Sequence, residues 1–218
     1  FRFNPELFLE NPNGNYVDLK GKKYKGKPFS NVYDVRNYVK ENSVEGNTIC
    51  GNPKPEFEFI HKCFPENVDF DPEHINIIYL DIEVFTDGTF PDPEQSKFPI
   101  NAISLRTKGV TYAFGLTYEG CGDYVNDRKD IIVELYDNEE TLLSKFIQLW
   151  TELEIDVISG WNSNTFDIPY ICNRVKNLFG EDEVKRLSPW KSVFSKKIFS
   201  RGRDHQIYEI QGVAALDY

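Results

Sequence analysis

Two carboxylates stand two apart near the end of a strand-forming run, Ile75-Asn76-Ile77-Ile78-Tyr79-Leu80-Asp81-Ile82-Glu83-Val84, and these residues are the best placed in the sequence to do chemistry. In an extended strand, residues i and i+2 point to the same side, so Asp81 and Glu83 face one way while Leu80, Ile82 and Val84 face a core. Two such charges about 5 Å apart repel by a few kcal/mol even at an effective dielectric near 20. A cation between them removes the repulsion, and a divalent metal is the usual one, so the pair points to metal-ion catalysis. The pattern alone is weak, because Asp-x-Glu occurs four times in the chain. Asp71–Glu73 and Asp92–Glu94 enclose prolines and read as loop, and Asp137–Glu139 sits at a helix start. A solvated strand end is the plain alternative for Asp81 and Glu83.

A second acid, Asp167, follows a short buried strand (Asp156–Gly160) and a polar turn, Trp161-Asn162-Ser163-Asn164-Thr165-Phe166, just where a helix begins. In open α/β sheets, sites lie beyond the carboxyl ends of strands, where such turns gather. Taken alone, Asp167 would simply complement the dipole of the helix it starts.

Periodicity gives the strands and helices around these acids. Strands are predicted at Ile100–Arg106 and Val110–Leu116, joined by a hairpin at Lys108-Gly109, and at Ile131–Tyr136. Asn138 is placed to cap a helix with Leu142, Leu143, Phe146, Leu149, Trp150 and Leu153 on its apolar face. A further helix is predicted from Ile168 to Leu178, stopping at Gly180, with Pro169 in its first turn. Ile207–Ile210 and Val213–Asp217 read as a closing hairpin around Gln211-Gly212. The sum is an α/β domain, a mixed sheet with flanking helices, over residues 73–218. Residues 1–72 read as a small α+β domain. It has turns at Asn13-Gly14, Gly21 and Asn52-Pro53 and strand-like pieces at Phe1–Phe3 and Phe57–His61. Its one helix, Val32 to Val39, is capped by Ser30 or Asn31.

The 218 residues carry a formal charge of −10, which argues against a uniformly basic surface coating a phosphate backbone. Local basic patches remain. Lys20, Lys22, Lys23, Lys25 and Lys27 read as a solvated loop, and residues 185–203 hold seven basic side chains with no acid among them. Cys50, Cys63, Cys121 and Cys172 lack metal-ligand spacing and read as reduced core thiols. With no apolar run long enough to span a bilayer and no signal peptide, an intracellular protein without membrane contact is expected. The lack of any methionine and the start at Phe1 suggest a processed or excised piece.

The order of motifs, Asp81-Ile82-Glu83 on a strand, then a hairpin, a helix, a strand and Asn162-x-x-x-Phe166-Asp167, resembles the 3′–5′ proofreading exonuclease domain of family B DNA polymerases. The longer phrases Gly160-Trp161-Asn162 … Phe166-Asp167-Ile168-Pro169-Tyr170-Ile171 and Phe90-Pro91-Asp92-Pro93 are more specific than the acids. With Gly212-Val213-Ala214-Ala215-Leu216-Asp217-Tyr218, they are similar to the polymerases of T-even-type bacteriophages, and so imply the cytoplasm of a bacterial host. The resemblance implies a ribonuclease-H-like fold and four carboxylates holding two magnesium or manganese ions. Three map here: Asp81, Glu83 and Asp167. A third motif, Tyr-x-x-x-Asp, would supply the fourth carboxylate and has no match after Asp167. Asp182, Asp204 and Asp217 are the later aspartates and none has a tyrosine four residues before it, so the metal centre is expected to be incomplete. The resemblance also implies contacts with single-stranded DNA or a frayed primer 3′ end. Asn162 and Phe166 follow from the second motif, Phe90 as a platform for the terminal base, and Lys196, Lys197 and Arg201 as backbone contacts. Two other readings stay open at this level: a nucleic-acid-binding module without catalysis, or a subunit of a split polymerase completed by a second polypeptide. RNA as a further ligand also stays open.

Overall fold

The computed structural model describes residues 3–42, 49–51, 55–66, 69, 71–118, 127–200 and 202–218. Phe1, the Asn52-Pro53 turn, Cys121 and Arg201 lie outside the described residues. The chain divides into two compact units, Phe1–Phe70 and Asp71–Tyr218.

The first unit is built on strands β1 (Glu6–Glu10), β2 (Tyr16–Val17) and β3 (Lys23–Pro28), helix α1 (Val32–Asn42), strand β4 (Ile49–Cys50) and helix α2 (Pro55–Cys63). Its antiparallel sheet runs in the order β2-β3-β1-β4. Leu7, Tyr24 and Val35 are buried. Asn31 is the cap of α1, its Oδ1 accepting the Asp34 N–H at 2.9 Å. Two expectations fail here. Phe57–His61 is helical, because Pro55 opens the segment and Glu56, Glu58, His61 and Lys62 match the helix dipole at both ends. The lysine-rich stretch is not a loop. Asp18 accepts the N–H groups of Lys20 and Lys22 and closes a turn, and Lys23, Lys25 and Lys27 continue along β3 against β1.

The second unit carries the site. Its sheet contains β5 (Ile77–Val84), β6 (Ile100–Thr107), β7 (Val110–Leu116), β8 (Ile131–Tyr136), β9 (Val157–Gly160) and, after a separate ribbon of β10 (Val193–Ser200) and β11 (Arg203–Ile210), β12 (Ala214–Asp217). The strand order is β12-β9-β5-β6-β7-β8, with β6 antiparallel to both neighbours and the other pairings parallel. This is a mixed sheet of the ribonuclease-H-like kind. The β6–β7 turn puts both Lys108 (φ 45°) and Gly109 (φ 82°) in the left-handed region, as the tightest hairpins require.

Helices α3 (Glu139–Glu152) and α4 (Asp167–Phe179), followed by the short α5 (Glu181–Val184), cover the sheet face formed by Ile78, Leu80, Ile82, Ile103 and Leu105. Asn138 caps α3 by accepting the Thr141 N–H. An ion pair ties the two long helices together. Arg174 donates from Nε and Nη2 to the two Glu139 oxygens (2.9 and 2.6 Å), and Glu139 also accepts the Ile100 N–H.

The closing hairpin is a correction. Ile207–Ile210 pairs with β10, not with the residues that follow it. Gly212 does turn the chain, at φ 90°, but the turn leads away from the ribbon, and β12 joins β9 in parallel at the sheet edge. An unpaired edge beside β9 offers four residues a full ladder, which a turn signal in sequence does not reveal.

Candidate active site

Along β5, exposed and buried residues alternate from Ile77 to Glu83, so Asp81 and Glu83 share the solvent face and Ile78, Leu80 and Ile82 share the core face. Directly opposite on β6 are Ser104 and Ala102. Their small side chains leave the acid-bearing face open. The register slips between Glu83 and Val84, where Asn101 of β6 is the extra residue opposite β5.

β9 pairs with β5 only over Ile77–Tyr79. Beyond Tyr79 the two strands diverge, and Gly160 marks the point of divergence. A Cβ there would lie 2.7 Å from the Leu80 carbonyl oxygen and 2.9 Å from Ser163 Cβ, so only glycine lets the backbones meet this closely. The edge of β5 that β9 leaves is taken by Asp167, whose Oδ1 accepts the Ile82 N–H at 3.0 Å. An acid 85 residues away thus docks on the backbone between Asp81 and Glu83. Asp167 is 4% exposed. Burial pushes its carboxyl up to about 6, Asp81 and Asp217 push the same way by their charge, and the N–H groups of Ile82 and of Asp167 itself oppose them.

The connecting turn is locally determined. Asn162 has φ 55°, a conformation that asparagine tolerates better than most residues, and its Oδ1 accepts the Thr165 hydroxyl at 2.6 Å. Its carbonyl accepts the Thr165 and Phe166 N–H groups. The Asn162 side chain therefore has a structural task besides any contact with a ligand. Ser163 is buried, and its N–H donates to Asp217 Oδ1 at 2.9 Å. All three acid-bearing stretches, at Asp81, Asp167 and Asp217, stand at the carboxyl ends of adjacent parallel strands β5, β9 and β12. Asp217 is the residue that motif reading set aside. Its nearness depends on β12 pairing with β9, and no local spacing signals that.

An open cleft of about 540 Å³ borders this turn, lined by Asn162, Thr165, Arg203, His205 and Asp217 among others. Arg203 and His205 alternate along one side of β11; Arg203 closes the basic segment read from the sequence, and His205 was not singled out there. Phe90 is 79% exposed, with its ring 5.4 Å from that of half-buried Phe166, which in turn lies 5.7 Å from Tyr170. The loop that carries Phe90 is held by α4: Arg174 donates to the carbonyls of Ser96 and Lys97, and Asn177 to that of Gln95. Lys196 and Lys197 are successive residues of β10 and so face opposite sides of the ribbon. Lys196 pairs with Glu209, and Lys197 approaches Glu94 in the Phe90 loop at 3.8 Å. A strand of nucleic acid on one face would meet one of them.

Among the described residues, no three His, Cys, Asp or Glu side chains stand close enough together to hold a metal ion. The site nevertheless fits a hard divalent cation in kind. Its donors are carboxylate oxygens only, and the charges of Asp81 and Asp217 acting on a buried Asp167 are what a cation would relieve.

The family model described as DNA polymerase family B, exonuclease domain, matches residues 30–218. The DNA-directed DNA polymerase of Escherichia phage RB69 is 28% identical across 99% of this chain, which covers 27% of that polymerase. The DNA-directed DNA polymerase of Enterobacteria phage T4 is 30% identical across 93% of the chain and 25% of its own length. DNA polymerase 1 of Sulfurisphaera ohwakuensis is 35% identical over 49% of the chain. The chain thus spans about a quarter of the two phage polymerases it matches. Among the described residues, no helix is long and apolar enough to cross a membrane.

Proposed function

The chain belongs to the family B DNA polymerases, matching their exonuclease domain, and on that premise we propose that it removes nucleotides from the 3′ end of single-stranded or frayed DNA. The observation that carries this reading is the Asp167 carboxylate docked on the Ile82 N–H, which brings the second motif's acid onto the strand of Asp81 and Glu83. In the reaction, a water oxygen gives up a proton and bonds to the phosphorus of the last phosphodiester. The bond from that phosphorus to the preceding nucleotide's 3′ oxygen breaks, that oxygen takes a proton to become a 3′ hydroxyl, and a 5′-mononucleotide leaves. Asp81, Glu83 and Asp167 would hold magnesium or manganese, and such ions supply Lewis acidity toward the phosphate and a nucleophile at neutral pH. The chain's own contribution is placement. Phe90 offers its exposed ring to the terminal base, with Phe166 supporting it from behind. Asn162 at the turn reaches the terminal nucleotide, and a DNA strand along one face of the ribbon takes a backbone contact from Lys196 or from Lys197, with Arg201 as a further basic contact. Residues 1–72 form a separate domain in this reading.

The test is release of a 3′-terminal label from a single-stranded oligonucleotide with magnesium or manganese, beside the Asp81→Ala/Glu83→Ala variant. Metal-dependent release by the parent, lost in the variant, is the expected result. Equal release by both overturns the assignment of these acids. A second reading, a module that binds DNA without cutting it, draws on the ungathered carboxylates. Tight binding without release, at every metal concentration tried, would select it.

A further inference from the structure

The Asp217 side chain has no packing reason to be where it is. All four residues of β12 are exposed, and Asp217 lies across from Gly160 at the end of the strand. Its carboxylate nevertheless makes one bond inward, to the N–H of Ser163, a residue 1% exposed. That bond joins residues 54 apart in sequence, so it is a tertiary clasp and no part of the turn's own hydrogen bonding. Truncating the Asp217 side chain takes away the acceptor that this N–H uses.

From Ser163 the connection runs directly to the acid. The Ser163 carbonyl accepts the Ile168 N–H at 2.9 Å, which fixes the first turn of α4, and Asp167 from that turn docks on Ile82. A second strut runs alongside. The Tyr218 N–H reaches the Gly160 carbonyl, and the Tyr218 ring meets Trp161 edge-on at 6.1 Å between centroids. The end of β12 therefore grips the Gly160–Ser163 stretch at both its start and its end.

We propose that Asp217 is a positioning residue for Asp167. By accepting the buried Ser163 N–H, it sets the turn that delivers the Asp167 carboxylate to the open edge of β5. It needs no contact with substrate to do this. The proposal rests on the reading of Asp167 as a working acid only for its consequence in catalysis. The placement itself is a property of the folded chain.

Two variants separate acceptor from charge. Asp217→Asn keeps an oxygen able to accept the Ser163 N–H, whereas Asp217→Ala keeps none. Backbone amide hydrogen exchange is followed by NMR at Ser163 and Ile82, each relative to the Phe146 amide in α3, so that a global loss of stability cancels. We expect Asp217→Ala to speed relative exchange at both amides about tenfold or more, and Asp217→Asn to leave both within about threefold of the parent. In the nuclease assay, the same order is expected: a drop of about tenfold or more for Asp217→Ala and near-parent release for Asp217→Asn. Unchanged Ile82 exchange in Asp217→Ala, or equal damage by both variants, overturns the proposal. If the exchange pattern holds while Asp167→Ala leaves nuclease activity intact, the clasp stands and the catalytic reading of Asp167 fails.

Discussion

Replacing Asp167 by asparagine should make the second unit more stable at neutral pH. Asparagine keeps the Oδ1 that accepts the Ile82 N–H, and it removes a charge from a side chain that is 4% exposed. Burial, with Asp81 and Asp217 adding to it, raises the carboxyl from 3.8 to about 6. A raised acid favours the folded state while it is protonated. That contribution is complete below pH 3.8 and is lost as pH rises through about 6. At about 1.36 kcal/mol for each pH unit between the two values, the loss reaches about 3 kcal/mol. The stability of Asp167→Asn minus that of the parent should therefore be flat below about pH 4 and grow by about 3 kcal/mol by pH 7 to 8. Groups that titrate alike in both proteins cancel in this difference. Urea unfolding followed by tryptophan fluorescence suits the measurement, because Trp150, Trp161 and Trp190 all lie in the second unit. Magnesium added at pH 8 should stabilise the parent and narrow the gap, since an ion that binds only the folded parent acts by mass action. A gap that does not change with pH, or one that favours the parent more strongly as pH rises, would refute the electrostatic account of this site.

Arg174→Met leaves Glu139 buried without its partner and should cost about 3–5 kcal/mol of unfolding free energy. The Arg174→Met/Glu139→Gln double variant should recover part of that loss in the same urea titration. Gly160→Ala forces a methyl to 2.7 Å from the Leu80 oxygen. It should destabilise the second unit by about 1–3 kcal/mol, read as a lower urea midpoint with unchanged slope. Phe90→Ala, at an exposed ring, should change stability by less than about 0.5 kcal/mol. It should weaken binding of a single-stranded oligonucleotide, measured by fluorescence anisotropy, by about 1–3 kcal/mol. Unchanged affinity would remove Phe90 from the binding surface.

Much of this protein follows from rules that act between neighbours in the chain. Alternation along Ile77–Glu83 put Asp81 and Glu83 on one face, Asn138 capped its helix, and Lys108-Gly109 made its hairpin, because period, cap and turn chemistry depend on neighbours in the chain. Local rules also misled where a neighbour in space outweighed them. Phe57–His61 alternates like a strand but is opened as a helix by Pro55, and Lys23 to Lys27 look solvated but pair with β1. Tertiary structure alone decided that β12 leaves the ribbon to run beside β9. It also decided that the strands part at Gly160 and that Asp167 fills the edge they leave at Ile82. Each is a hydrogen bond or close approach between distant residues, satisfied only when the whole sheet is assembled. That is why Asp217 looked like one more exposed aspartate in the chain and stands beside the site in the fold.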